Sequence, residues 1–229
     1  MKAIYNHVAE CQVAFTEHPF FARLRRDEPL ARVLPFARAL TFWVMGFQDA
    51  LRINTALITE PALKRIARHH LHEDSGHDRW FLDDLRLIDG SVPDIDELFG
   101  ISLQVTREVT YSLLAESYRA KEDIERIALL ITYESTGHVF FPEIVGYLKR
   151  AGIETSLKYF AQTHLDVETN HEIVEQQMQD ILNAIKLPAR TRTRCVESVN
   201  RCYAAFTRMF DHIEKTIRSD HPMSILASS

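Results

Sequence analysis

Glycine, proline and cysteine are scarce in this chain of 229 residues, which has 7 Gly, 8 Pro and 3 Cys. The few glycines and prolines separate long segments, which argues against a fold rich in tight turns and short strands. Between these breaks the apolar residues recur with a helical period, and no strand-like alternation persists. The pattern predicts an all-α fold, with about seven helices forming one bundle over residues 1–229.

The three cysteines are Cys11, Cys195 and Cys202. So few thiols, in an odd number, indicate reduced cysteines rather than a disulfide framework. The N-terminus carries His7 and Glu10 and lacks the basic-then-apolar layout of a signal peptide. No run of about 18 apolar residues is free of charges, so we expect no transmembrane helix. These features predict a cytoplasmic protein without a membrane partner.

The charge balance argues against a nucleic-acid-binding surface. The chain has 27 Lys and Arg against 32 Asp and Glu, for a formal net charge of -5. Its basic clusters, at 23–26 and 190–194, are flanked by acids or lie at expected helix ends. Because a general nucleic-acid binder presents a basic face, we expect no nucleic-acid partner.

The breaks also predict where the helices begin and end. Pro61 suits the first turn of a helix, and Gly152 suits the residue after one. The segment 89–93 contains Asp, Gly and Pro and predicts a loop. The expected helices span about 2–16, 29–57, 60–88, 101–120, 123–150, 154–185 and 189–218.

Three of these helices carry ionisable residues on faces that are otherwise apolar. Since each residue advances a helix by about 100°, the shared faces can be read from the spacing. They comprise Ile66, His70, Glu73, His77, Trp80 and Asp84; Ile127, Leu130, Glu134, His138 and Phe141; and Leu157, Phe160, His164, Glu168, His171, Met178 and Ile181.

Burying these acids requires a compensating charge. A buried, unpaired carboxylate costs several kcal/mol, and here the cost recurs on three helices. A bound metal would offset it, because carboxylates and neutral imidazoles are metal ligands. A salt-bridged network without metal is the alternative.

The most specific motif is His164-x3-Glu168-x2-His171, which places three potential ligands on one wall of a helix. Two less specific pairs with a spacing of four residues accompany it, Glu73–His77 and Glu134–His138. His70 shares the face of Glu73, where it is either a ligand or a hydrogen-bonding partner of one. Asp84 lies farther along the same face and is expected to brace the site.

Three segments together resemble a known family. His-Glu-Asp-Ser-Gly-His (72–77), Tyr-Glu-Ser-Thr-Gly-His (133–138) and His-x3-Glu-x2-His (164–171) are similar to motifs of the haem-oxygenase-like di-iron oxidases and oxygenases, within the superfamily of thiaminase II and pyrroloquinoline-quinone synthase. The resemblance spans roughly residues 20–215. It implies a haem-oxygenase-like bundle, a homodimer, and a non-haem di-iron enzyme that uses dioxygen to oxidise a small molecule.

The resemblance also implies a metal-ligand set, which is Glu73, His77, Glu134, His164, Glu168 and His171. Some relatives separate the first Glu and His by six residues, and that spacing upstream of His77 leads to His70. His70 therefore remains an alternative to Glu73, and His138 is an additional candidate. Two iron ions are expected, although manganese suits the same ligands and zinc could occupy part of the site.

Aromatic residues near these motifs are candidates for the wall of a substrate pocket. They are Trp80, Tyr133, Phe140, Phe141 and Phe160. Plain packing in the core is the alternative for each of them.

Four other functions remain open at this point. A thiaminase-like hydrolase needs a cysteine nucleophile, and the chain has no cysteine between residues 12 and 194. A quinone-synthase-like enzyme would work without metal. A haem oxygenase would need a proximal histidine, for which His7 or His18 is a candidate, and a glycine-rich distal helix that this sequence does not offer. The fourth function is that of a helical binding protein without catalytic activity.

Overall fold

The computed structural model describes residues 1–26, 28–153, 157–162, 164–165 and 180–218. All regular secondary structure in these ranges is helical, and they contain no strand. The all-α prediction is confirmed. The helices are α1 (Lys2–Thr16), α2 (Pro19–Leu24), α3 (Leu30–Val33), α4 (Pro35–Ala39), α5 (Thr41–Leu57), α6 (Pro61–Glu73), α7 (His77–Asp89), α8 (Ile95–Phe99), α9 (Gln104–Arg119), α10 (Asp123–Arg150) and α11 (Ala189–Arg218).

Three helices have the bounds that the sequence predicted, namely α1, α10 and α11. The segment expected at 101–120 is shortened to Gln104–Arg119. Most of the helix expected at 154–185 lies outside the described residues. Proline at the first turn begins α2, α4 and α6, where the missing N–H has no helical partner to lose.

Two predicted helices are each divided, so their predicted continuity was wrong. The segment 29–57 forms α3, α4 and α5, with Pro35 at the start of α4. The segment 60–88 divides into α6 and α7 at Gly76, whose φ of 96° is left-handed. Glycine adopts this conformation without the clash that a Cβ would cause. The division rotates α7 relative to the face that a continuous helix would have presented.

Helix α5 packs closely on α9 at Gly46. A Cβ atom added there would lie 2.5 Å from the Thr110 Cγ2 atom, closer than real side chains approach. A cluster of aromatic rings joins α1 and α2 to α11. Phe15 and Phe20 contact Phe210 at centroid distances of 5.4 and 5.1 Å. These contacts hold α11 against α1 and α2.

The segment Leu30–Leu57 is apolar enough, by length and composition, to cross a membrane, with a mean hydropathy of 1.3 over its best window. In the structure this segment comprises three helices, and 39% of the window is buried. Core helices of soluble proteins pass the same test, so this single segment assigns no location to the chain.

Candidate metal centre

Helices α6 and α10 bring three potential metal ligands together. His70 lies on α6, Asp74 directly follows α6, and Glu134 lies on α10. One ligand atom of each lies within 4.8 Å of the other two. The His70 Nε2 atom is 2.8 Å from Glu134 Oε2 and 2.9 Å from Asp74 Oδ2. The sequence predicted Glu134 and kept His70 as an alternative, whereas Asp74 was not predicted.

The His70 Nε2 atom is buried and lies within ion-pair distance of both carboxylates. Imidazole nitrogen and carboxylate oxygen are donors that suit iron, manganese or zinc. The residues present therefore fit a shared metal ion.

Opposite charges are paired within this group. Burial alone would lower the pKa of His70, but the carboxylates of Glu134 and Asp74 outweigh burial and raise it well above its ordinary value. Burial alone would raise the pKa of Asp74, but His70 and His77 outweigh it and lower that pKa. A His70 imidazolium thus lies between two carboxylates, in a position where a metal cation would serve the same electrostatic role.

Two further histidines extend the group. The His77 Nδ1 atom lies 3.2 Å from Asp74 Oδ1 and 3.1 Å from His164 Nε2. The His164 Nδ1 atom lies 2.7 Å from the Tyr159 carbonyl oxygen. Because a carbonyl only accepts, this bond places the His164 proton on Nδ1 and leaves the Nε2 lone pair facing the group. Metal-binding histidines are commonly oriented in this way.

His164 is also held in its neutral form. Burial, followed by the nearby His77, lowers the pKa of His164 to about 4. A histidine binds a metal through its neutral imidazole. Metal binding at neutral pH would therefore not require His164 to lose a proton. His77 is buried as well, and its ring stacks on Trp80 at 4.8 Å with an interplanar angle of 29°.

Asp84 fixes the segment that carries His164. Its Oδ1 accepts the backbone N–H of Lys158 at 2.8 Å, and its Oδ2 accepts that of Phe160 at 3.0 Å. Asp84 is fully buried on α7, and burial raises its pKa. Because Asp84 and His77 lie on the same helix, these bonds hold His164 in register with His77.

The other predicted ligands that the structure describes, Glu73 and His138, do not belong to this group of three. Glu73 pairs with His69 at 2.8 Å and is not among the three grouped ligands. The His138 side chain is 49% exposed, and its Nε2 atom is 3.7 Å from Glu134 Oε1. Glu168 and His171 lie outside the described residues, so their places in the predicted set stay predictions.

A cavity of about 80 Å³ adjoins the candidate ligands. His77, His164, Asp74 and Glu134 line one side of it. The other lining residues, mostly apolar, come chiefly from α5, α10 and α11: Leu40, Trp43, Val44, Phe47, Gln48, Asp78, Tyr133, Thr136, Gly137, Phe140, Phe141, Tyr159, Phe206, Met209 and Phe210. Small-molecule sites commonly combine such an apolar wall with a few polar groups.

Of the five aromatic residues expected to form the wall, three line the cavity: Tyr133, Phe140 and Phe141. Trp80 instead stacks on His77, and Phe160 is fully buried in the core. Sequence reasoning missed the walls from α5 and α11, because apolar residues on those helices carry no mark that separates a cavity wall from the core. The sequence did carry a signal near Asp74, because Gly76 two residues later indicates a break between α6 and α7.

No protein-family model matches the sequence, and no curated protein matches it.

Proposed function

We propose that this protein is a metal-dependent oxidoreductase that holds two metal ions, iron in the first instance, and uses dioxygen to oxidise a small organic molecule. The observation that carries the proposal is the grouping of His70, Asp74 and Glu134 within 4.8 Å, beside an apolar cavity. Bound iron would supply the site for dioxygen and the electrons that reduce it.

The residues of the chain divide the remaining tasks. Asp74 and Glu134 would neutralise and hold the metal, while His77 and His164 would supply nitrogen ligands. His70 either joins them or hydrogen-bonds to the carboxylates. Glu168 and His171, which the family resemblance implies as ligands, would complete the metal-ligand set. The aromatic wall would exclude water from the reacting groups, which strengthens electrostatic interactions there.

The cysteines support this proposal over a cysteine-nucleophile hydrolase. Cys195 and Cys202 are both buried, and neither lines the cavity. Burial raises the pKa of each thiol to about 12. The nucleophilic form of cysteine is the thiolate, which these two residues would scarcely populate near neutral pH.

The test is metal content and its response to air. Protein purified without chelators is analysed for iron, manganese and zinc, and metal-free protein is titrated with ferrous iron under anaerobic conditions. We expect close to two irons per chain, and a visible absorption band that appears and decays after exposure to air. The variant His164→Ala should remain helical by circular dichroism and lose the band. A wild-type protein that binds no iron would contradict the proposal.

The resemblance also underlies our proposal that the protein is a cytoplasmic homodimer. Light scattering coupled to size-exclusion chromatography tests the dimer directly. A monomer at micromolar concentration would contradict that part and leave the metal centre standing.

A further inference from the structure

The charged residues that line the cavity all have the same sign. Asp74, Asp78 and Glu134 contribute carboxylates, and no lysine or arginine from the described ranges lines it. Its two histidines, His77 and His164, are the nitrogen donors that the proposed function assigns to the metal. A ligand carboxylate would find no cationic side chain in this lining, whereas a cationic ligand would find carboxylates.

Asp78 differs from the other two acids. Asp74 and Glu134 both contact His70, but Asp78 makes no hydrogen bond or ion pair with any residue that the structure describes. Asp78 lies in the first turn of α7, where the helix dipole favours a negative charge. Its carboxylate is therefore half-buried and has no cationic partner in the described chain.

The rest of the cavity suits a short apolar body. Its volume of about 80 Å³ has room for roughly five to eight water-sized groups, which suits a short chain. Trp43, Phe47 and Phe141 contribute aromatic rings to the wall. Such rings favour both alkyl groups and cations over anions.

We propose that the cavity binds a short aliphatic amine in its protonated form, with the ammonium group on the Asp78 carboxylate and the alkyl chain against the aromatic wall. This inference rests on the proposed function, since it names the substrate class of the same site. The ammonium group would be held by Asp78, which leaves Asp74 and Glu134 to the metal.

Three probes that share a butyl chain test the inference, namely n-butylamine, 1-butanol and valerate. The chain has two tryptophans, and Trp43 lines the cavity while Trp80 stacks on His77. In the variant Trp80→Phe, tryptophan fluorescence therefore reports on the cavity alone. Titrations are run on the full-length protein, both metal-free and loaded with zinc as a redox-silent metal.

In the metal-free protein we expect n-butylamine to bind at least tenfold more tightly than 1-butanol, and valerate to bind more weakly than both. In the zinc-loaded protein the preference for the amine over 1-butanol should remain, whereas the zinc ion would itself attract the valerate carboxylate. Asp78→Asn keeps the size of the side chain and removes its charge. It should weaken amine binding by roughly ten- to hundredfold, as expected for a charge-assisted hydrogen bond, and leave 1-butanol binding unchanged. The matched control is Asp83→Asn, on the same helix and outside the cavity lining, which should leave the amine preference intact.

Equal binding of the three probes by the metal-free protein, or tighter binding of valerate by that form, would overturn the inference. So would an amine preference that Asp78→Asn does not reduce, because that result would assign the amine to the metal or to Glu134. Asp78-dependent amine binding in a protein that takes up no metal would support the inference while contradicting the proposed function. Metal uptake without a preference for the amine would support the proposed function and contradict the inference.

Discussion

Replacing Asp74 should distinguish the structural assignment of the ligands from the sequence-based one. The Asp74 carboxylate lies 2.9 Å from His70 Nε2 and 3.2 Å from His77 Nδ1. Asp74→Asn preserves the shape of the side chain but removes the charge that holds both rings. Substitutions of residues that only support metal ligands weaken metal affinity by about 10- to 100-fold. Loss of a direct ligand should therefore raise the metal Kd by more than roughly 100-fold, or about 2.7 kcal/mol.

Glu73→Gln, at the adjacent position, is the matched control. Glu73 pairs with His69 in a partly exposed contact, with side chains 21% and 29% accessible. Such a pair contributes about 1 kcal/mol or less to stability. We expect the metal Kd of Glu73→Gln to stay within about threefold of wild type. Chelator-competition titrations with zinc and manganese measure both constants, and circular dichroism confirms that both variants are folded.

The result that would refute this reasoning is the reverse order of the two variants. If Glu73→Gln lost metal binding and Asp74→Asn retained it, the ligand set implied by the family resemblance would be right at this position. Asp74 and Glu134 would then serve only as ion-pair partners of His70.

Two further predictions concern packing and the support of the site. Gly137→Ala should stabilise the protein by about 1 kcal/mol, because the added Cβ would be 3.6 Å from the Phe141 ring and alanine favours the helix. Gly46→Ala, its control, should lower the Tm, because its Cβ would collide with Thr110; equal Tm values would contradict the packing of α5 on α9. Asp84→Asn should cost about 1–3 kcal/mol in denaturant unfolding, because an amide cannot accept both backbone N–H groups. Since burial raises the folded-state pKa of Asp84, its contribution is present below the unfolded pKa and declines as pH rises through the folded pKa. The deficit of Asp84→Asn should therefore shrink from acidic to neutral pH, and a deficit that grows over this range would contradict the assignment.

The sequence by itself determined the helical class and the limits of several helices. Apolar residues recur with a helical period in α1, α10 and α11, and their ends follow from local chemistry such as Gly152 after α10. These features depend on residues that are close together in sequence, so they can be predicted without knowledge of the tertiary structure. The same local spacing singled out His77, Glu134 and His164 as residues of interest.

The position of Asp74 beside His70 depended on the tertiary structure. A continuous helix would place Glu73 on the face of His77, but the left-handed Gly76 ends α6 and reorients α7. The Gln48 side chain on α5 donates a hydrogen bond to the Asp74 carbonyl oxygen at 2.8 Å and stabilises this break. A contact between residues 26 positions apart in sequence leaves no signal in the local pattern.

The cavity and the state of His164 were likewise decided only by the fold. Trp43 of α5 and Phe206 of α11 meet at a centroid distance of 5.0 Å although they are far apart in sequence. The Tyr159 carbonyl sets the tautomer of His164, and burial beside His77 keeps it neutral. Residue types and spacing can nominate such groups, but distances, tautomers and burial arise when separate helices pack together.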